Sequence, residues 1–193
     1  MQHLLTDISR LAPDNTRDNA AWDAYVMATP GATFFHRAGW QRVLRQVFRH
    51  DTYFLQARRD GRVVGVLPLA HVKSFLFGSS LTSLPFTVYG GVVADDEATA
   101  TALEAEAQRL ARQLGVQHLE MRNLQPRHAD WPQQDLYVTF RKEILPEEEA
   151  NMLAIPRKQR AMVRKGIKNG LQSHIDSTAD RFFAVYADNV HRH

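Results

Sequence analysis

The sequence predicts an α+β fold, in which antiparallel hairpins are mixed with packed helices. The strongest observation is a hairpin: residues 52–58 and 62–72 both follow a strand pattern, and Asp60-Gly61 between them is typical of a two-residue turn. The second observation is a long amphipathic helix over residues 95–114, which begins with acidic residues and ends at a glycine. Together they predict a mixed, largely antiparallel sheet flanked by helices.

The N-terminal region is predicted to hold a loose lead-in followed by one helix. Residues 1–16 contain a Pro-Asp-Asn run that breaks any periodicity. Residues 17–28 have apolar side chains on one side, and they end at Thr29-Pro30-Gly31, a strong breaker cluster. We therefore expect the first domain to begin at residue 17.

A second helix is predicted over residues 38–49, after a brief extended piece at residues 34–36. Its apolar residues recur at the spacing i, i+3, i+4, i+7, i+8, which is typical of a helix with one buried face. These residues are Trp40, Val43, Leu44, Val47 and Phe48.

Shorter strands complete the predicted first domain. Pro68 cannot donate a ladder hydrogen bond, so it should mark a bulge, an edge or a bend in the second hairpin strand. Three further strands are predicted: one begins at residues 92–93, one spans residues 116–122 and the last spans residues 137–144. The domain boundary is expected near residue 145, so that residues 17–145 form the first domain.

Residues 146–193 are predicted to be a linker, a basic helix and the start of a second domain. Pro146 opens an acidic helix start, and the basic helix follows it. Residues 171–176 have a strand-like pattern, and a helix with aromatic residues runs from Thr178 to the end.

The basic helix carries a local positive charge. Residues 157–168 contain six basic residues and no acidic one, so the segment contributes +6 while the whole chain has a net charge of +3. Pro156 suits the first helical turn and Gly170 suits the stop. In a helix, these basic residues form a positively charged stripe along one face, and such a stripe suits a phosphate or another anion. The alternative is a solvated helix face, although such a face would normally intersperse glutamate.

Several chemistries are excluded or disfavoured by the composition. The chain has no cysteine, which excludes disulfides, zinc–thiolate sites and cysteine nucleophiles. Its nine histidines are scattered, so no metal site is expected. No Walker loop, His-Glu-x-x-His or Gly-x-Ser-x-Gly motif is present. No secretory signal and no integral membrane segment is predicted, so a cytoplasmic location is expected, with the inner membrane face as an alternative.

Four motifs occur in an order that resembles the FemAB-like family of the GNAT superfamily: FFHRAGW at residues 34–40, RDGRVVGVLPLA at 59–70, SLPFTVYGG at 83–91 and IPRKQRAMVRKG at 155–166. The nearest branch is the one associated with exopolysaccharide and PEP-CTERM export systems. The resemblance implies two tandem GNAT-like domains with a substrate cleft between them. We therefore expect this chain to be a fragment, with the first GNAT-like domain and the opening elements of a second, incomplete one.

The resemblance also implies two groups of site residues, while the catalytic residues stay unassigned. The basic helix would contact phosphate through Arg157, Lys158, Arg160, Arg164, Lys165 and Lys168. The cleft would be lined by Phe35, His36, Trp40, Tyr89, Gly90 and Gly91. Alternatives stay open for three of these: Trp40 as core, Tyr89 with its glycines as a tight turn, and His36 as a surface or capping histidine.

The implied activity is acyl or aminoacyl transfer to an amine of a cell-envelope or exopolysaccharide precursor. The founding members of the family use aminoacyl-tRNA, and the wider superfamily uses acyl-CoA, so the donor is open between the two. A superfamily acetyl-CoA site usually shows a Gln/Arg-x-x-Gly-x-Gly/Ala loop entering a helix, and this chain has none. No cofactor is therefore supported. The expected partners are a phosphorylated small-molecule or lipid-linked precursor, with tRNA as a possible donor.

Two alternatives compete with the transferase hypothesis. The basic helix 157–168 would also suit a non-catalytic phosphate- or nucleic-acid-binding module. Two observations argue against that module. The formal charges of the rest of the chain sum to −3, and no aromatic residues are interleaved with the basic ones to stack against bases. The other alternative is a truncated, inactive half.

Overall fold

The computed structural model describes residues 6–74, 76, 78–134 and 137–193. The chain forms two compact units, Met1–Pro132 and Gln133–His193. The first unit contains every strand of the described residues, and the second contains helices. The domain boundary predicted at residue 145 and the GNAT-like character of the second part remain predictions.

The first unit begins with strand β1 (Asp7–Arg10), which pairs antiparallel with β3 (Leu55–Arg59). This strand lies within the predicted lead-in, which is therefore not loose throughout. The strand pattern of this segment is weak, because its four residues include a single apolar side chain, Ile8. Helix α1 (Thr16–Ala28) follows, and the Asn15 side chain caps it by accepting a hydrogen bond from the Asp18 amide at 3.1 Å.

The next segment differs from the prediction in two ways. Residues 34–36 form a 3₁₀ turn (Phe34–His36) rather than an extended piece. Helix α2 (Gly39–Gln46) is shorter than predicted, and the chain leaves the helical path at Arg49, whose φ is 59°. Because the helix stops early, Val47 and Phe48 do not join its buried face and are 68% and 39% exposed.

The predicted hairpin is confirmed. Strand β3 pairs with β4 (Arg62–Leu67), and the turn residues Asp60 and Gly61 have φ values of 52° and 77°. Positive φ at both central positions defines the tight turn whose twist matches the strands.

Pro68 marks a bend, as predicted, because the chain passes there from one sheet to the other. The first sheet has the order β1-β3-β4-β7 and the second β2-β5-β6-β8. The remaining strands are β2 (Asp51–Thr52), β5 (Leu69–Ser74), β6 (Gly78–Ser83), β7 (Val93–Ala94) and β8 (His118–Glu120).

Helix α3 (Glu97–Leu114) connects β6 to β8, and these two strands are parallel. The other strand pairs of the described residues are antiparallel. The apolar face of α3 is buried, with Leu103 and Leu110 both inaccessible to solvent, and Gly115 ends the helix with a φ of 64°. The predicted fold class, mixed and largely antiparallel sheets flanked by helices, is thereby confirmed.

The second unit contains helices α4 (Glu148–Leu153), α5 (Arg157–Lys168) and α6 (Asp180–Arg192). The strands predicted at 137–144 and 171–176 are absent from the described residues there. Strand-forming side chains need a partner strand, and these segments have none: Phe140 and Ile175 are fully or almost fully exposed. No helix in the described parts of the chain is long and apolar enough to cross a membrane.

Candidate functional site

A loop joins β6 to α3 and closes over the end of the parallel strand pair. We call residues 84–96, which include the two-residue strand β7, the β6–α3 loop. The amides of Gly90 and Gly91 donate to the carbonyl oxygen of Arg122 at 3.2 and 3.0 Å, and the Arg122 amide donates to Ser83 Oγ at 2.6 Å. The loop is thus fastened to the chain just after β8. Ligands of open sheets commonly bind at the carboxyl ends of parallel strands, where this loop lies.

His36 joins the 3₁₀ turn to this loop. Its ring is 3% exposed; Nδ1 accepts a hydrogen bond from the Thr33 amide at 3.0 Å, and Nε2 lies 3.0 Å from the carbonyl oxygen of Gly91. Burial lowers the pKa of His36 below its ordinary value, so the ring is neutral near pH 7. Nε2–H therefore donates to Gly91. Of the earlier alternatives for His36, the capping role is confirmed and the surface role is wrong.

Gly90 and Gly91 are required by close packing. A Cβ on Gly90 would stand 2.5 Å from the Leu84 Cβ and 2.9 Å from the Ser83 carbonyl oxygen. A Cβ on Gly91 would stand 2.7 Å from the Asn123 Cα and would also overlap the Asn123 side chain. The glycines let the loop lie directly on its neighbours; they follow the turn at residues 85–86 and neither has a positive φ, so close packing explains them and the tight-turn explanation does not.

Three predicted cleft residues line one small pocket. His36, Tyr89 and Gly91 surround it together with Thr33 and Arg122, and it has a volume of about 20 Å³. This is far smaller than the ~300–1,000 Å³ typical of sites for drug-sized ligands. The pocket therefore has room for about one water-sized group.

Arg122 is a site residue that the sequence analysis did not single out. Its Nη1 donates to the Thr87 carbonyl oxygen at 2.6 Å, and its Nε donates to Glu120 at 2.7 Å. These bonds place the guanidinium group beside the β6–α3 loop. The sequence signal was limited to its position at the end of a predicted strand, because the fixing contact with Thr87 lies 35 residues away.

A wider acidic groove adjoins the small pocket. The two share Gly31, Val92 and Val93 in their walls. The groove has a volume of about 370 Å³ and is lined by Asp95, Asp96, Glu97 and Arg127, among others. Asp96 pairs with Arg59 and Glu97 pairs with Arg127, so Asp95 is the lining carboxylate without a cationic partner among the described residues, and it would attract a positively charged group.

The carboxylates of this groove are held in place by neighbours. The Asp96 side chain accepts a hydrogen bond from the Thr99 amide at 2.8 Å and pairs with Arg59 at 3.0 Å. These contacts, led by the Thr99 amide, lower the pKa of Asp96 to about 2. The Tyr25 hydroxyl donates to Asp95 at 3.0 Å; burial and this carboxylate raise the Tyr25 pKa far above its ordinary value.

The N-terminus of α3 does not fit the pyrophosphate of coenzyme A. Helix N-termini bind phosphate through free amides and a favourable dipole. Here the Asp96 carboxylate already caps the helix, and Asp95 and Glu97 add negative charge beside it. The capping carboxylate therefore competes with an anion for these amides, although Arg59 and Arg127 offset part of the negative charge. No group of His, Asp or Glu able to hold a metal ion was found among the described residues.

Phe35 and Trp40, which were predicted to line the cleft, line neither the small pocket nor the groove. They form an aromatic cluster with Phe34, with ring centroids 6.0 Å apart, and pack against the core of the first unit. The structure therefore places Trp40 at the core. Its shielded Nε1 has no hydrogen-bond partner among the residues described.

On α5 the six candidate cations divide into two groups. The Arg160 guanidinium donates to the carbonyl oxygens of Leu153 and Ile155 at 2.9–3.2 Å, so it neutralises the end of α4. The remaining five are exposed, and no carboxylate partner is found for them in the described residues: Arg157, Lys158, Arg164, Lys165 and Lys168. Five of the six are thus available to an anion.

No protein-family model and no curated protein matches this chain. Among solved structures, it is similar to a GNAT family acetyltransferase from Staphylococcus aureus, with 9% identity over 74% of this chain and 98% of the other and a TM-score of 0.40. It is also similar to an aminoglycoside acetyltransferase from an uncultured soil metagenomic sample, with 12% identity, coverages of 72% and 97% and a TM-score of 0.48. A third similar structure is a ribosomal-protein-alanine N-acetyltransferase from Brucella melitensis. Its identity is 17% over 70% of this chain and 99% of the other, with a TM-score of 0.42. We base no functional argument on likenesses at these scores.

Proposed function

We propose that this chain is the acceptor-binding part of an N-acyl or aminoacyl transferase of the FemAB-like type, within the GNAT superfamily. Its acceptor would be an amine of a cell-envelope or exopolysaccharide precursor. Support comes from the order of the four sequence motifs and from the adjoining pocket and groove at the end of the parallel strand pair. The observation that carries the proposal is that groove, because Asp95 in its wall has no cationic partner among the described residues and suits a protonated amine, whereas Asp96 and Glu97 are each paired with an arginine.

The reaction would be acyl transfer. The bound ammonium group first loses a proton to solvent, and its neutral nitrogen then attacks the carbonyl carbon of an activated acyl ester or thioester. The bond to the leaving oxygen or sulfur breaks, and the second proton of the nitrogen passes, directly or through water, to the leaving alcohol or thiol. The chain would contribute by holding the amine in position. His36 does not act as the base, since both ring nitrogens are engaged with Thr33 and Gly91. The base and the donor site are not assigned to described residues.

A transfer assay tests the proposal directly. The purified chain is incubated with acetyl-CoA or a mixture of aminoacyl-tRNAs and with a panel of amine acceptors, including a nucleotide-linked muramyl pentapeptide. Mass spectrometry detects the amide product. We expect Asp95→Asn to raise the KM for the amine by about fivefold, equivalent to about 1 kcal/mol, without changing the KM of the donor. Asp14→Asn, an exposed acid outside the groove, is the control. Binding of the acceptors is also measured by calorimetry, which needs no donor site, and absence of both binding and an amide product with every acceptor would refute the proposal.

The second candidate is a non-catalytic phosphate- or nucleic-acid-binding module. It is favoured by the five cations of α5 that have no carboxylate partner among the described residues. A nucleic-acid binder should lose affinity steeply as the salt concentration rises, whatever the nucleotide sequence. For single strands the association constant falls by about 0.7 logarithmic units per phosphate contact for each tenfold rise in salt. Fluorescence anisotropy with a single-stranded RNA, measured between about 50 and 200 mM salt, separates the two candidates.

A further inference from the structure

Three roughly parallel rings, of which two are exposed and one is half-buried, form a cluster on the first unit. Phe48 and Phe86 stack with centroids 4.1 Å apart, and His50 lies 5.7 Å from Phe86 with its plane within 10°. Phe86 is 55% exposed and the neighbouring Val47 is 68% exposed. We call Val47, Phe48, His50 and Phe86 the aromatic patch. Exposed apolar patches of this kind mark interaction sites.

The backbone holds these rings outside the core in conformations that ordinary residues avoid. Phe86 has a φ of 66°, and Arg49, between Phe48 and His50, has a φ of 59°. A positive φ is unfavourable for large side chains, and such strain is concentrated at functional positions. The sequence pattern placed Val47 and Phe48 in the core, so their exposure results from the chain path at Arg49.

The patch is accompanied by unpaired positive charge. Arg42, Arg45 and Arg49 are exposed along and just after α2. No ion pair joins any of them to a carboxylate among the residues that the structure describes. The carboxylate closest in sequence, Asp51, is bound by Lys73 at 2.7 Å. The surface is therefore both apolar and cationic.

We propose that the aromatic patch docks on the surface of an anionic lipid bilayer. Phenylalanine and valine side chains partition into the interfacial region, while arginine side chains beside them bind anionic headgroups. A nucleic acid fits less well, because the ring faces already cover one another and Val47 offers no planar face for a base. The proposal is independent of the transfer reaction, since a chain without activity would still dock.

The absence of cysteine makes a site-specific test simple. Val47→Cys is labelled with an environment-sensitive fluorophore, and Ala98→Cys, an exposed position on α3 outside the patch, is the matched control. Vesicles of phosphatidylcholine with phosphatidylglycerol are compared with vesicles of phosphatidylcholine alone. We expect a blue shift and an intensity gain for the label at position 47 with the anionic vesicles only, and no change at position 98.

Cosedimentation with the same vesicles assigns the binding to particular side chains. The double variant Phe48→Ser/Phe86→Asn should lower the bound fraction at least several-fold; asparagine tolerates the positive φ at position 86. The variant Lys158→Gln/Arg164→Gln/Lys165→Gln removes three cations from α5, and it should lower the bound fraction less than the double variant does. Circular dichroism confirms folding of each variant.

Three results would overturn the proposal. The label at position 47 could respond to a single-stranded oligonucleotide and not to vesicles, which would indicate a nucleic-acid surface. Both labels could respond equally to anionic vesicles, which would indicate non-specific adsorption. Binding could be lost with the α5 variant and kept with the double variant, which would assign it to the basic helix.

Discussion

The His36 Nε2–H donates a hydrogen bond to the carbonyl oxygen of Gly91 across 55 positions of sequence and 3.0 Å of space. Through this bond the 3₁₀ turn after α1 fixes the loop that precedes α3. Since both residues line the same small pocket, the bond also fixes part of the pocket's wall. A buried neutral histidine in such a position makes the fold sensitive to pH.

We predict that the first unit loses stability as the pH falls below about 6.5, the ordinary pKa of histidine. Burial lowers the pKa of His36 in the folded state, so below that pH the unfolded chain binds more protons. Stability is then fully present above pH 6.5 and declines as the pH falls towards the folded-state pKa. Thermal melting between pH 8 and 5 measures the effect.

His36→Gln should lower the free energy of unfolding by about 1–3 kcal/mol, the usual cost of losing buried hydrogen bonds. It should also reduce the pH dependence. His71 contributes in the same direction, because its pKa is likewise lowered by burial, so His71→Gln provides the comparison. If His36→Gln keeps the full pH dependence of the parent, the role given to His36 is wrong.

Glu104→Gln should be destabilising, by about 1–3 kcal/mol, because it removes a buried charge-assisted hydrogen bond, while Arg127 keeps Glu97 as a second carboxylate partner at 2.6 Å. Glu104 is 1% exposed, and its carboxylate receives Arg127 Nε at 2.8 Å and faces His128 Nε2 at 3.1 Å. Urea unfolding measures the change. Glu106→Gln, on the same helix but in an exposed pair with Arg109, should cost no more than about 1 kcal/mol. Equal effects of the two variants would contradict the prediction.

Gly91→Ala should destabilise the first unit by about 1–3 kcal/mol, because the new methyl group meets the Asn123 backbone and side chain. Gly31→Ala is a matched control: Gly31 lines the same pocket, but a Cβ there has no neighbour within 4 Å. We expect the melting temperature to fall for the first variant and to change little for the second. A large fall with Gly31→Ala would show that the packing argument is incomplete.

Arg160→Ala and Arg164→Ala should have different effects. Arg160 binds the carbonyl oxygens at the end of α4, so its loss should reduce the helical circular-dichroism signal of the second unit. Arg164 has no carboxylate partner among the described residues, so its loss should leave helicity unchanged and weaken binding of a phosphorylated ligand. If Arg160→Ala weakens binding as much as Arg164→Ala without any change in helicity, the division of the six cations is wrong.

The elements that the sequence predicted well are those set by local backbone chemistry. Asp60-Gly61 requires positive φ at both positions and forms the hairpin turn. Pro68 lacks an amide hydrogen and marks the passage between the two sheets. Each residue determines its local conformation without help from distant parts of the chain, so the pattern alone was sufficient.

The features that the sequence missed depend on distant partners. The periodicity through Val47 and Phe48 predicted a buried face, but periodicity cannot show that the chain turns at Arg49. Residues 137–144 have strand-forming side chains, but a strand exists only where a neighbour supplies hydrogen bonds. In the candidate site, His36 and Tyr89 could be proposed from the motifs, whereas Arg122 could not, because Thr87 fixes its guanidinium group.

The parallel pairing of β6 with β8 has a consequence for the order of folding. Ser80 aligns with His118 across the whole of α3, whereas Arg59 aligns with Arg62 across a two-residue turn. Closing the larger loop loses more chain entropy, and pairing over a long sequence separation is slow. In pulse-labelled hydrogen exchange during refolding, the β3–β4 amides should therefore be protected early and the β8 amides late. The candidate pocket, which depends on the chain just after β8, would be assembled in the last step.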